Sequence, residues 1–150
     1  MATHDFGVLL GLAYQGFVDE LHVDLARHGF THVGGSVGYV LRAIAEGPIN
    51  QRQLARRLGI TDQGAMKIVD GMERERLVMR VPDPEDGRAR RLALATRGRA
   101  MLRAARRFHA VYERRLAKEL GTSAATARKV LEHIVATAPG AAGRGHLRPM

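Results

Sequence analysis

Residues 53–69 read QLARRLGITDQGAMKIV, and this stretch decides the fold. Asn50 followed three places on by Gln53 is a capping-box pair, each side chain satisfying the other residue's free amide, so a short helix is expected over Gln51–Leu58. Gly59 closes it, because a residue without Cβ accepts the positive φ that ends a helix. Thr61 then offers a hydroxyl as N-cap to a second helix, expected over 62–75. Two helices that cross closely need small residues at the crossing. Ala55 and Ala65 fall there, and Leu54, Leu58, Ile60 and Ile68 complete a small core. The pair reads as a helix-turn-helix. Subtracting its core leaves Asp62, Gln63, Gly64, Met66, Lys67, Asp70 and Gly71 facing outward on the second helix, small or hydrogen-bonding positions of the kind a helix needs to enter a major groove.

A helical hairpin with a solvated face would show part of this pattern, but the next segment of the chain argues against it. Residues 77–81 (LVMRV) and 88–95 alternate like strands around the polar tip PDPEDG at 82–87, which makes a β-hairpin. Arg88, Arg90 and Arg91 come straight after the tip. A basic ribbon beside a helix-turn-helix is placed to lay an arginine into the neighbouring minor groove, where negative potential is concentrated. Strand alternation puts Arg88 and Arg90 on one face and Arg91 on the other. Asp86 stands two residues before Arg88, where it can accept a hydrogen bond that stiffens the arginine.

Outward from this centre the period is helical. Upstream, Gly47-Pro48 is a turn, and a helix over 33–45 turns Val37, Val40, Leu41 and Ile44 inward, with a start loosened by Gly34, Gly35 and Gly38. A longer helix over 5–28 carries Phe6, Leu9, Leu10, Ala13, Phe17, Leu21 and Leu25 on one face and stops at Gly29. Downstream, Met101, Ala105, Phe108, Tyr112 and Leu116 mark a helix of about twenty residues. Thr122 is expected to cap a last helix bearing Val130, Leu131, Ile134 and Ala138. Residues 139–150 (PGAAGRGHLRPM) hold too few apolar side chains to fold and are expected to be a disordered tail.

Charge says what such a chain would meet. The 150 residues carry 24 Lys and Arg against 15 Asp and Glu, for a net charge of +9. The first fifty residues are net −3, while 51–107 hold fifteen basic and seven acidic side chains, so the basic surface is regional and not a uniform coding bias. A polyanionic partner is expected. With no cysteine, disulfides, thiolate catalysis and thiolate metal sites are excluded. No stretch approaches the roughly 18 uninterrupted apolar residues of a membrane helix, and the N-terminus lacks a signal-peptide pattern, so a cytoplasmic location without membrane contact is expected. No phosphate loop, nucleophile elbow or His-Glu metal motif is present, which points away from an enzyme and from any cofactor. His22, His28 and His32 cluster in sequence, but no carboxylate is expected at ligand spacing beside His28 and His32, so no metal site is assigned.

At these residues the sequence resembles the MarR-type winged helix-turn-helix regulators of bacteria. The likeness runs over about 5–138. It is sharpest in GPINQRQLARRLGIT (47–61) and VDGMERERLVMRVPDPEDGRARRLALATRG (69–98), which look like the recognition helix and wing, with an Asp-x-Arg signature at Asp86 and Arg88. The resemblance implies a mainly α fold with a small β-hairpin wing and long N- and C-terminal dimerisation helices. On that scheme 1–32 and 97–138 form the dimer arm and 33–96 the winged helix-turn-helix. It implies a homodimer that binds palindromic double-stranded DNA, a transcriptional regulator and expected repressor, often released by a small aromatic or phenolic ligand. DNA contact is expected from Thr61, Asp62, Gln63, Gly64, Lys67, Arg88 and Arg90, with Asp86 supporting the wing. A ligand is expected near Tyr14, Tyr39 and Phe108, with Arg42 as counter-charge. Two departures stand out. The family's Leu-Thr-x-x-Gly after the wing is here Leu94-Ala95-Thr96-Arg97-Gly98, and Gly87 replaces a frequent basic residue. Surplus apolar stripes on the terminal helices support a dimer independently. A sequence-indifferent nucleoid or RNA-binding protein would show the same basic surface.

Overall fold

The computed structural model describes residues 3–31 and 33–139, which form two units. The first, through Val33, is built on helix α1 (Phe6–Arg27). Its end is set by backbone chemistry. Gly29, at φ 86°, lets the Phe30 amide donate to Leu25 and the Gly29 amide to Ala26, a closure that buries Phe30 and Leu25. The rest of the helix's apolar face is not buried: Phe6 and Leu9 stay exposed.

The second unit begins with α2 (Val37–Glu46), α3 (Gln51–Leu58) and α4 (Asp62–Arg74). It continues through β1 (Val78–Pro82), β2 (Arg90–Leu94), α5 (Thr96–Leu120) and α6 (Thr122–Thr137). Its core gathers Val40, Leu41 and Ile44 of α2, Leu54 and Leu58 of α3, Val69 and Met72 of α4, and Met101 and Leu102 of α5. This is the mainly α fold with a two-stranded antiparallel wing that the sequence leads one to expect. Val78 pairs with Leu94 and Pro82 with Arg90, and a lone bridge ties Ile49 to Leu92, so the loop before α3 forms a third edge of the ribbon.

The boundaries differ from expectation where local signals mislead. The helix expected from 33 begins at Val37, because Gly34 and Gly35 contribute no packing to hold an extra turn. The strands run 78–82 and 90–94, so Arg88 lies in the tip. Thr122 does not cap α6. Gly121 is the N-cap, at φ 58° with no side-chain bond, and Thr122 is already helical. After the wing the hydroxyl stands one place late, at Thr96, so Ala95 is the N-cap of α5 and makes no side-chain bond.

Gly98 fixes how wing and α5 meet. A Cβ there would lie 1.9 Å from the carbonyl oxygen of Leu77, so only glycine lets α5 approach this closely. The same carbonyl accepts from the Ala95 amide at 2.9 Å. Along α5 burial fades from Met101 and Ala105 to half-buried Phe108, Tyr112 and Leu116, and α6 buries no residue at all. An ion pair from Arg128 to Glu113, at 2.5 Å, joins α6 to α5. No described helix is long and apolar enough to cross a membrane. Residues 140–150, most of the expected tail, lie outside the described residues, as does His32.

Candidate nucleic-acid interface

The helix-turn-helix is held by the contacts its sequence encodes. Asn50 accepts from the Gln53 amide at 2.8 Å and Gln53 Oε1 accepts from the Asn50 amide at 2.9 Å, a complete capping box. Gly59, at φ 66° and ψ 34°, turns the chain, and Ala55 and Ala65 lie fully buried at the crossing. Thr61 Oγ1 accepts from the Gly64 amide at 3.0 Å and starts α4.

The outward positions then separate. Gln63 and Lys67 are exposed one turn apart and share a face. Met66 stands beside them, exposed and apolar. Asp62 is exposed in the first turn of α4, where it favours the helix dipole, and lies 4.0 Å from Arg52. Gly64 is half-buried and its amide is committed to the cap; a Cβ there would meet Thr61 Oγ1 at 3.1 Å. Thr61 and Gly64 therefore serve first to begin the helix. Asp70, read from sequence as outward-facing, is half-buried and bound elsewhere.

Its partner is Arg80 on β1, which the sequence does not single out. Arg80 donates to Asp70 at 2.7 Å, to Glu73 at 3.0 Å and to Gln51 Oε1 at 3.0 Å, and so clamps α3, α4 and the wing together. The effect on the face is electrostatic: Asp70, one turn beyond Lys67, is neutralised from behind. Partners separated by as many as 29 positions carry no local signal, so no periodicity could have found this clamp.

At the wing tip, Asp86 Oδ1 accepts from the Arg88 backbone amide at 3.1 Å and its carbonyl accepts from Ala89 at 3.0 Å. Asp86 thus shapes the turn through the main chain, where sequence suggested a bond to the arginine side chain. The Arg88 and Arg90 side chains are exposed, and no acid pairs with either among the described residues. Because Arg88 is in the turn, strand alternation does not relate the two. Arg91, in contrast, is half-buried.

The residues expected near a ligand are distributed between the units. Tyr14 is exposed on α1. Tyr39 and Arg42 lie one turn apart on α2, and Arg42 is within electrostatic reach of Arg106 and His109 on α5. Burial lowers the Arg42 pKa, the charge of Arg106 lowers it further, and Tyr39 opposes. Burial, then Arg42, lowers that of His109, against Glu113. The Phe108 ring lies 5.7 Å from that of Tyr112. Arg106 and His109 have no sequence signal of their own, since neither is aromatic core nor part of a motif. His28 Nδ1 stands 3.7 Å from Asp24, one turn back, so a carboxylate does lie beside this histidine, contrary to expectation. Among the described residues no three potential metal ligands converge.

Comparison with known proteins shows what this arrangement resembles. Residues 29–89 match the MarR family profile. No curated protein matches the sequence. RV1404 from Mycobacterium tuberculosis superimposes with a TM-score of 0.74 at 21% identity, over 92% of this chain and 97% of that one. A MarR-family transcriptional regulator from Rhodococcus follows at 0.64 and 21%, over 90% and 96%. A variant of S. aureus MepR bound to an oligodeoxyribonucleotide is similar at 0.59 and 18%, over 91% and 100%. Residues 29–89, from the end of the first unit through the helix-turn-helix and β1 to the wing tip, are thus similar to the MarR family, and the fold is that of a winged helix-turn-helix protein.

Proposed function

We propose that the protein is a sequence-specific DNA-binding transcriptional repressor that acts as a homodimer on palindromic operators. One observation carries the reading: Gln63 and Lys67 project from α4 with no partner among the described residues, while the neighbouring acid, Asp70, is neutralised by Arg80. A face so composed offers hydrogen bonds to base edges and positive charge to phosphates. Arg88 and Arg90 at the wing tip add two charges for the backbone or minor groove. The oligonucleotide in the S. aureus MepR structure supports DNA as the partner. Self-association is supported by the apolar residues left exposed on α1, α5 and α6, among them Leu12, Val111 and Leu131. Two copies related by a two-fold axis would bring two α4 helices to half-sites roughly 34 Å apart.

Release by a small aromatic anion is the finer part of the proposal. It is supported by Arg42, whose half-buried guanidinium faces a like charge in Arg106, next to Tyr39 and His109. A carboxylate arriving there would relieve that repulsion, and linkage requires that it weaken DNA binding by the factor by which DNA weakens its own, typically about 5 to 150-fold.

Selecting bound fragments from random duplex, then competing the winner against unselected duplex, tests the core reading. A regulator prefers its operator by about a thousandfold or more. Equal affinity for both duplexes would instead make the chain a sequence-indifferent nucleoid or RNA-binding protein.

A further inference from the structure

An open-sided hollow of about 320 Å³ lies at the foot of the wing, where the end of α2, the loop after it, β2 and the first turn of α5 meet. Its volume is within the ~300–1,000 Å³ range of small-molecule sites. Ile44, Pro48, Leu92 and Leu94 give it an apolar wall. Among the described residues, the charged ones lining it are Arg91 and Arg99, with no carboxylate. It shares no lining residue with the Tyr39, Arg42 and His109 group.

Arg99 is held in place. Its guanidinium donates to the Leu94 carbonyl at 2.8 Å and to Thr96 Oγ1 at 3.2 Å. Thr96 is available as a brace because its hydroxyl stands one place beyond the cap, which Ala95 occupies. The departure from the family's sequence after the wing therefore has a local use: it orients a cation beside the hollow. A guanidinium fixed this way loses less rotamer freedom when an anion arrives. Arg91 is half-buried, and no acid pairs with it among the described residues. Two arginines beside an apolar wall favour a ligand with one planar anionic end and a body that gains from leaving water.

We infer that this hollow binds a small carboxylate with a compact apolar body, its carboxylate at Arg91 and Arg99 and its body against Ile44, Pro48 and Leu92. The inference does not depend on the proposed ligand release through Arg42.

Titration of the full chain with cyclohexanecarboxylate, followed by amide chemical shifts, tests it. Saturable shifts are expected at Ala45, Leu92, Ala93 and Arg99. The uncharged cyclohexanecarboxamide should bind about tenfold more weakly or worse, as loss of a charge-assisted bond requires. Arg91→Gln and Arg99→Gln should each weaken the carboxylate by a similar factor, and Arg114→Gln, at an exposed position further along α5, should leave it unchanged. Arg91→Gln keeps the test decisive if Arg99→Gln unfolds α5. Four results would overturn the inference: no saturable shift, equal binding of acid and amide, inorganic phosphate binding as tightly as the carboxylate, or binding lost with Arg114→Gln and kept with Arg91→Gln.

Discussion

Gln63 and Arg88 are both exposed, yet their removal should have different consequences. Gln63 sits on α4 one turn before Lys67, and on the proposed reading its amide would meet a base edge, so Gln63→Ala should relax preference at one operator position by about 1 to 3 kcal/mol. Arg88 is a tip cation that no acid pairs among the described residues. Arg88→Ala should weaken every duplex alike and lower the salt slope by about one, measurable by fluorescence anisotropy at several ionic strengths. An unchanged affinity would remove the wing from the interface. His109 yields a prediction of stability. Burial and the Arg42 charge hold its pKa below the usual 6.5, so the folded chain keeps the ring neutral while the unfolded chain takes up a proton first as pH falls. This contribution to stability is complete above about pH 6.5 and is lost below it. Thermal melts of the wild type should fall through that acidic window, and those of His109→Gln should fall less. Such residues differ in how far sequence reveals them: Gln63 follows from helical phase alone, whereas His109 acquires its character from Arg42, 67 positions away.

Two backbone positions set element geometry, with opposite expectations. Arg76 ends α4 in the left-handed region, at φ 59°, donating its amide to Glu73 and letting Leu77 donate to Met72. A residue with a Cβ is strained there, so Arg76→Gly should raise stability by about 1 kcal/mol in urea unfolding. Gly98 is the reverse case. A methyl at that position meets the Leu77 carbonyl, and Gly98→Ala should cost about 3 kcal/mol or prevent folding. Elements with signals a few residues apart are legible in sequence. The α3 capping box, Gly59 and the Thr61 cap are all such signals, and all are present. The start of α2 is less legible because glycines mark freedom without saying which way it is used. The Arg80 clamp is invisible because its partners, Gln51, Asp70 and Glu73, come from two other helices.

For the molecule as a whole, the most telling surface is the one the described residues leave uncovered. Val130 is 42% exposed, Leu131 48% and Val135 60%, on a helix with no buried residue. A second copy is the expected cover, since an apolar face of this extent is a site of association. Sedimentation at micromolar concentration should give one species of twice 16.4 kDa, and Leu131→Glu should shift it toward the monomer. A wild-type species of 16.4 kDa would exclude the dimer. The apolar stripe of α6 is plain in sequence, but sequence cannot say that it stays exposed among the described residues. The seat of Gly98 on Leu77 has a mechanical consequence for such an assembly. The 25 residues of α5 make a rod about 37 Å long, pinned near one end against the root of the hairpin. Displacing its free end by about 3 Å rotates the rod by roughly 5°. If the pin transmits that rotation, a hairpin about 25 Å long swings its tip by roughly 2 Å. Gly98 would then be a fulcrum: a shift where α5 meets α6 would reach Arg88 as a movement comparable to the length of a hydrogen bond, enough to lift the guanidinium from a phosphate.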